Sequence, residues 1–355
     1  MDVLMKAAIL EDKGRLTYRD LPAPVPGPGN VLLRVKATSI CGSDILRFAK
    51  GHRLYPLILG HECAGIIESV GEGVSDELVG RRAALIPLIP CFQCDQCERG
   101  LYSACRSYSF IGSRQHGGFA EFLELPARNA LLVPDDMPFE HAALIEPSTV
   151  ARHILDLGDF RAGQSALVLG AGSIGLMTVQ WLRILGASQI ICTDLVEENL
   201  QAARELGAHV TLNARDVDVP GEVLKLTGDG VDLAVEAAGA PQTLMQAVHA
   251  TRPRGTIVCG GNQPLDASLP MTLIEDLMRR ELRLMGCFMS YSAPFPGHEW
   301  TESVEKIQSG ELNMQAMISH RCPLSDAPRV FADIAAHRLA HRKIILLPDG
   351  RQADA

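Results

Sequence analysis

Four cysteines fall at a spacing typical of metal ligands. Cys91, Cys94, Cys97 and Cys105 follow the pattern C-x2-C-x2-C-x7-C, and four thiolates on one short loop can surround a zinc ion tetrahedrally. A shell of four protein ligands leaves no position for a substrate, so the predicted zinc is structural. Buried apolar cysteines have no reason to occur at these spacings. A DNA-binding zinc ribbon is the alternative, and the formal net charge of -9 argues against it.

A second and sparser set combines a thiol, an imidazole and carboxylates. Cys41 lies just before Ser43, His61 is followed by Glu62, and Glu146 precedes a proline. Cysteine, histidine and carboxylate form a catalytic zinc site when three protein ligands leave one position open for water or a substrate oxygen. Spacing alone also allows a surface pair or a satisfied core pair at His61 and Glu62, and both interpretations stay open on this pattern.

A glycine-rich segment follows the apolar run Ser165–Leu169 and opens a predicted helix. Gly-x-Gly-x-x-Gly in this context is the fingerprint of a dinucleotide site: the glycines allow a tight turn, close approach of the pyrophosphate and close helix packing. A carboxylate ends the next predicted strand, where it can accept hydrogen bonds from the adenosine ribose. The predicted cofactor-binding residues are Gly170, Gly172, Ser173, Ile174, Gly175 and Asp194.

The residues after Asp194 predict which dinucleotide binds. Leu195 and Val196 follow it, with no arginine. A 2′-phosphate would therefore meet a negative charge without a counter-charge. The sequence predicts NAD rather than NADP.

Length and composition indicate how many domains the chain has and which classes of protein are excluded. The chain has 355 residues, 33 basic against 42 acidic, and 47% are hydrophobic, which favours two folded domains and argues against disorder or nucleic-acid binding. No leader or membrane span is apparent, and ten cysteines at close spacings suit thiolates in a reducing compartment. We expect a cytoplasmic protein.

The order of elements predicts an α/β fold with two domains. The first 150 residues carry short β-type runs separated by glycine and proline, whereas strands and helices alternate from Ser165, as in a parallel sheet wrapped by helices. A last strand is predicted at Lys343–Leu347. An α/β nucleotide-binding domain inserted into a β-rich domain accounts for this order.

The glycine fingerprint, the segment G-H-E-x-x-G at Gly60–Gly65 and the four-cysteine loop occur together in one chain. In this combination the sequence resembles the zinc-containing medium-chain dehydrogenases. The resemblance implies a GroES-like catalytic domain from residues 1–150 and 288–355, a Rossmann NAD-binding domain from 151–287, one catalytic and one structural Zn²⁺, and a homodimer or homotetramer. It also implies that Cys41, His61 and Glu62 are zinc ligands or near-ligands and that Glu146 is an exchangeable fourth ligand. Ser43 and His52 would form a proton relay.

The resemblance also bears on the substrate. Glu146 replaces the cysteine of ordinary alcohol dehydrogenases, as in the polyol and threonine branches, and the segments Pro90–Cys94, Phe110–Arg114, Gly117–Glu121 and Tyr291–Gly297 resemble enzymes that oxidise a phosphorylated hexitol. Sorbitol dehydrogenases carry an arginine where this chain has Met289.

Two arginines are predicted to be substrate residues, namely Arg47, where sorbitol dehydrogenases present an aromatic, and Arg114. A solvated basic patch is the alternative for Arg47, as a solvated loop histidine is for His52. We therefore expect NAD-dependent oxidation of a polyol or polyol phosphate. The alternatives are a sorbitol-, butanediol- or threonine-type enzyme, and a catalytically silent NAD-binding interaction protein.

Overall fold

The structure is a computed structural model, which describes residues 3–262 and 267–349. The chain divides into two compact units. Unit 1 comprises Met1–Glu146, Ser292–Gln308 and Met317–Ala355, and unit 2 comprises Pro147–Tyr291 and Ser309–Ala316. Unit 1 is thus built from three separate stretches of sequence.

The strands in chain order are β1 (Leu4–Asp12), β2 (Arg15–Pro22), β3 (Asn30–Ser39), β4 (Leu57–Ile58), β5 (Glu62–Val70), β6 (Arg82–Leu85), β7 (Leu88–Ile89), β8 (Ser109–Phe110), β9 (Phe122–Pro126), β10 (Ala130–Leu132), β11 (Ser165–Leu169), β12 (Gln189–Asp194), β13 (Val210–Asn213), β14 (Val231–Glu236), β15 (Thr251–Cys259), β16 (Arg283–Gly286), β17 (Ile318–Pro323) and β18 (Lys343–Leu347).

The α-helices are α1 (Gly42–Lys50), α2 (Asp95–Glu98), α3 (Phe139–Ala142), α4 (Ile145–Leu157), α5 (Ser173–Ile184), α6 (Glu197–Leu206), α7 (Val219–Thr227), α8 (Pro241–Ala250), α9 (Thr272–Arg279), α10 (His298–Gln308) and α11 (Ala327–Ala335). Short 3-10 turns lie at Asp76–Leu78, Tyr102–Ala104, Ala127–Asn129, Gln315–Met317 and Leu324–Asp326. Among the described helices, none combines the length and the apolar character needed to cross a membrane.

Unit 1 is β-rich, and its largest sheet has the order β10-β6-β5-β3-β18-β17, with β9 also pairing with β3. In β3, the side chains of Val31, Leu33 and Val35 are fully buried, which follows from the two-residue period of a strand with one face on the core. A second sheet has the order β2-β1-β4, and β7 pairs with β8. Because β18 lies between β3 and β17, a strand from late in the sequence completes the interior of this sheet.

Unit 2 is a doubly wound α/β domain. Its sheet has the order β13-β12-β11-β14-β15-β16, and all of its pairings are parallel. In chain order this is the Rossmann arrangement 3-2-1-4-5-6, which places ligands at the carboxyl ends of the strands where the order reverses. The apolar side chains of β11 are fully buried, as expected for a central parallel strand covered on both faces. The predicted α/β fold class is confirmed.

Candidate active site

Strand pairing in unit 1 brings the predicted catalytic donors together. In the antiparallel pair β3–β5, Ser39 at the end of β3 faces Glu62 at the start of β5. Cys41 follows the first strand and His61 precedes the second, so both lie at the same edge. One ligand atom from each of Cys41, His61 and Glu62 lies within 4.8 Å of the others. Residues 20 positions apart in sequence thus form one compact donor set.

Helix α1 starts directly after Cys41, and its Asp44 organises the set. The backbone N–H of Cys41 donates to Asp44 Oδ2 at 3.1 Å, and His61 Nδ1 lies 3.4 Å from Asp44 Oδ1. This contact leaves Nε2 of His61 for a metal, the arrangement in which a second-shell carboxylate fixes a ligand imidazole. The sequence analysis gave Asp44 no role. Its place three residues after Cys41, in the first turn of a helix, was the available signal.

A buried lysine holds Glu62. Lys343 Nζ lies 2.6 Å from both carboxylate oxygens of Glu62, and both side chains are almost fully buried. Lys343 reaches this position because β18 pairs with β3, where Ile345 faces Ser39. Burial lowers the pKa of Lys343, but the charge of Glu62 outweighs it and the net direction is upward. The sequence analysis did not identify Lys343; the available signal was a single cation at the start of an apolar strand.

The negatively charged groups at this buried site favour the protonated form of His61. Burial lowers the pKa of His61, yet the charges of Asp44 and Cys41 outweigh it and raise the pKa well above its usual value. Burial also raises the pKa of Glu146 to about 7, and the charges of His61 and Glu62 act on it in opposite directions. A thiol, an imidazole and carboxylates in such a pocket form a donor set of the kind that binds catalytic zinc. The residues present therefore fit the metal.

The predicted relay and substrate residues fall into two places. Ser43 Oγ lies 3.4 Å from Cys41 Sγ and accepts a hydrogen bond from Arg47 Nη1 at 2.8 Å, so Arg47 lies beside the donor set. His52 Nε2 is 2.7 Å from the carbonyl oxygen of Ser113, which makes Nε2 the protonated nitrogen. In the part of the chain that the structure describes, no hydrogen bond joins His52 to Ser43. Separately, the Arg114 guanidinium stacks 3.7 Å above the Tyr108 ring and donates to its carbonyl oxygen.

The four-cysteine loop forms a second metal-binding arrangement in unit 1. The Sγ atoms of Cys91, Cys94, Cys97 and Cys105 all lie within 4.8 Å of one another. Cys91 Sγ is 4.0 Å from Cys97 Sγ, and Cys94 Sγ is 4.0 Å from Cys105 Sγ. A tetrahedron with Zn–S bonds of about 2.3 Å has edges of about 3.8 Å. The four thiols therefore fit zinc with little adjustment.

The pKa values of these thiols shift in opposite directions. Backbone N–H groups of Arg106 and Cys97 lower the pKa of Cys94 to about 6, whereas burial raises the pKa of Cys97 to about 12. Four thiolates this close repel one another without a cation. A bound zinc ion would supply the positive charge that lets all four thiols ionise.

The glycine fingerprint in unit 2 has the geometry that the sequence predicts. Gly170 has φ +98°, and a Cβ there would meet the backbone N of Ala238 at 2.8 Å. A Cβ at Gly175 would lie 1.8 Å from the carbonyl oxygen of Gly170, so only glycine allows this contact between turn and helix. At Gly172, by contrast, no atom of the described residues other than its chain neighbours lies within 4 Å of where a Cβ would be. The space above Gly172, beside the first turn of α5, fits a pyrophosphate.

Asp194 ends β12 next to this loop. Its Oδ2 accepts a hydrogen bond from the backbone N of Ala171 at 2.7 Å, and its Oδ1 accepts one from the backbone N of Val196 at 2.9 Å. The carboxylate thus fastens the glycine loop to the end of the neighbouring strand. Each oxygen retains lone pairs for ribose hydroxyls.

A GroES-like β domain with a thiol–imidazole–carboxylate site and a Rossmann domain define a class of enzyme. Residues 27–135 match the family model of the alcohol dehydrogenase GroES-like domain, and residues 173–309 match that of the zinc-binding dehydrogenases. The chain belongs to the zinc-containing medium-chain dehydrogenases, as the resemblance implied, and is a zinc-type alcohol or polyol dehydrogenase that works with a nicotinamide cofactor.

Individual relatives give the branch of the family. The chain is 34% identical to galactitol 1-phosphate 5-dehydrogenase of Escherichia coli, over 97% of this chain and 100% of the relative. The crystal structure of that galactitol-1-phosphate dehydrogenase matches with a TM-score of 0.92 over the same shares of the two chains. D-xylulose reductase of Saccharomyces cerevisiae is 31% identical over 96% of this chain and 97% of the relative. A putative zinc-binding dehydrogenase of Sinorhizobium meliloti, bound to NADP, matches at 32% identity with a TM-score of 0.90, over 98% and 100% of the chains.

Proposed function

We propose that this enzyme oxidises a sugar-alcohol phosphate, galactitol 1-phosphate or a close relative, to the ketose phosphate with NAD⁺ as hydride acceptor. One observation carries the phosphate part of the proposal. The Arg47 guanidinium lies 2.8 Å from Ser43 Oγ, and Ser43 adjoins Cys41 of the zinc-binding donor set. Arginine binds phosphate in bidentate geometry, so this cation suits a substrate that carries a phosphate.

The proposed roles of the chain's own residues are supported by the contacts of Cys41, His61 and Glu62, and for Glu146 by the resemblance to the family. Cys41 and His61 would hold the catalytic zinc, with Glu62 as a ligand or near-ligand and Glu146 as the exchangeable group. When bound, zinc supplies Lewis acidity and the nicotinamide accepts the hydride. Ser43 is placed to take the proton of the substrate hydroxyl, because its Oγ lies next to the thiol of Cys41.

Kinetics of an Arg47→Ala variant test this proposal, with NADH absorbance as the readout. We expect the KM for galactitol 1-phosphate to rise about tenfold or more, the equivalent of one charge-assisted hydrogen bond. Activity on free galactitol should fall by a smaller factor, which reflects the contacts of Arg47 with Ser43 and Asp44 beside the zinc-binding donor set. Lys50→Ala is the matched control, because Lys50 is an exposed cation at the end of the same helix, and it should leave both substrates unaffected.

Two results would contradict the proposal. Equal losses on phosphorylated and free polyol, or no loss on either, would remove Arg47 from the phosphate site. Faster turnover of sorbitol, 2,3-butanediol or threonine by the unmodified enzyme would assign it to another branch of the family.

We also propose that the enzyme is a homodimer joined through unit 2. Strand β16 is the edge of its sheet and exposes Leu284 and Met285, and Met278 on α9 is 73% exposed. An unpaired edge with apolar side chains favours pairing with a second copy. Met285→Arg should then shift the mass measured by light scattering from dimer to monomer, and an unchanged mass would count against this interface.

A further inference from the structure

A positive charge lies beside the proposed ribose carboxylate, although none follows Asp194 in the sequence. The strands β12 and β13 are parallel, with Asp194 facing Asn213. The backbone N of Ala214 donates to the carbonyl oxygen of Asp194 at 3.0 Å. Arg215 is the next residue, so the end of β13 delivers its side chain to the end of β12. The sequence argument considered only the residues after Asp194 and therefore missed this cation.

The contacts of Arg215 leave most of its guanidinium available. Its Nε donates to the carbonyl oxygen of Leu195 at 3.1 Å, and its backbone N donates to Asn213 Oδ1 at 3.1 Å. Within residues 3–262 and 267–349, no carboxylate lies within 4 Å of this guanidinium. The side chain is exposed. The contact to Leu195 orients the group, while its Nη donors face no protein acceptor in the described residues.

We propose that Arg215 binds the 2′-phosphate of NADP⁺, so that this enzyme accepts both NADP⁺ and NAD⁺. The inference rests on the proposed place of the adenosine ribose at Asp194, and not on the identity of the polyol. Asp194 alone would repel a 2′-phosphate, but Arg215 brings the formal charge of the pair to zero. Both oxygens of Asp194 also accept backbone N–H groups, which offset part of its negative charge. The Nη donors of Arg215 match the geometry of phosphate oxygens.

Calorimetric titration of the zinc-loaded full chain with two adenosine fragments tests the proposal. The fragments are 5′-ADP and 2′,5′-ADP, which differ in the 2′-phosphate. We expect the unmodified enzyme to bind both, and Arg215→Ala to weaken 2′,5′-ADP about tenfold while changing 5′-ADP less than twofold. Arg204→Ala is the matched control, because this nearby exposed arginine is already paired with Glu197 and Thr211. It should change neither affinity.

The outcomes separate this inference from the proposed function. Binding of 5′-ADP without 2′,5′-ADP overturns the role of Arg215 and leaves NAD⁺ use intact. An equal loss of both fragments in Arg215→Ala, or an equal effect of Arg204→Ala, also overturns it. If neither fragment binds, the ribose site at Asp194 is wrong, and the Arg215 inference fails with it. Turnover of galactitol 1-phosphate bears on the substrate alone.

Discussion

Replacing Lys343 by methionine should destabilise unit 1 strongly. The lysine lies 2.6 Å from both oxygens of Glu62, and the two side chains are 3% and 1% exposed. Removing one partner of a buried ion pair leaves an unpaired buried charge and costs about 3 to 5 kcal/mol. For a unit of about 200 residues, this corresponds to a decrease in Tm of about 6 to 20 °C.

Calorimetric melting of the zinc-loaded protein measures this decrease in Tm. Two further variants serve as an exposed-lysine control and as a rescue of the buried charge. Lys6→Met removes an exposed lysine whose Nζ lies 2.8 Å from Asp20; its Tm should change by less than about 1 °C, because solvent screens such pairs. The double variant Lys343→Met with Glu62→Gln should recover most of the lost stability, since no unpaired charge remains. A Tm of Lys343→Met within 2 °C of the unmodified enzyme would refute the reasoning, as would a double variant no more stable than the single one.

The two proposed zinc sites and the glycine loop give four more predictions. Cys97→Ser should release one zinc per chain, measured by metal analysis, and lower Tm by about 5 °C or more; full retention of metal would exclude the structural site. Cys41→Ser should abolish NADH formation with an unchanged Tm, and residual activity near that of the unmodified enzyme would exclude Cys41 as a ligand. Gly175→Ala should unfold or misfold unit 2, seen by circular dichroism, because its Cβ would lie 1.8 Å from the oxygen of Gly170. Gly172→Ala should keep the fold, since its Cβ would have 4 Å of clearance from the described residues beyond its chain neighbours, but should lose the thermal stabilisation by NAD⁺. A normal NAD⁺-dependent shift in Tm would contradict the pyrophosphate site.

Sequence patterns within short segments predicted two strands and the four-cysteine loop, because each of these features depends on one short stretch of chain. The run Ser165–Leu169 has the bounds of β11, and Lys343–Leu347 has those of β18. A short apolar run next to a turn signal is consistent with a buried strand, and its length favours a strand over a helix. The cysteine loop could be predicted for the same reason, because its ligands lie within one short segment.

Contacts set by strand register could not be predicted in this way. Lys343 meets Glu62 across 281 positions of sequence, and this depends on β18 pairing with β3. Arg215 meets Leu195 because two parallel strands end level with each other. A single sequence carries no direct signal of which distant strands pair or in what register. The partners of the proposed zinc ligands were therefore missed.

The place of β18 also bears on how the enzyme is made. The strand lies inside the largest sheet of unit 1, between β3 and β17, and carries the cation that neutralises Glu62. A ribosome releases the segment with Cys41, His61 and Glu62 about 280 residues before it releases Lys343. During that interval Thr38 and Ser39 at the end of β3 lack their partner strand, although β9 pairs with Asn30–Arg34, and Glu62 lacks its counter-charge. Such an unpaired edge is prone to pairing with another chain. The nascent chain thus presents this unpaired strand end until β18 arrives, which joins β17 to the sheet and brings Lys343 to Glu62.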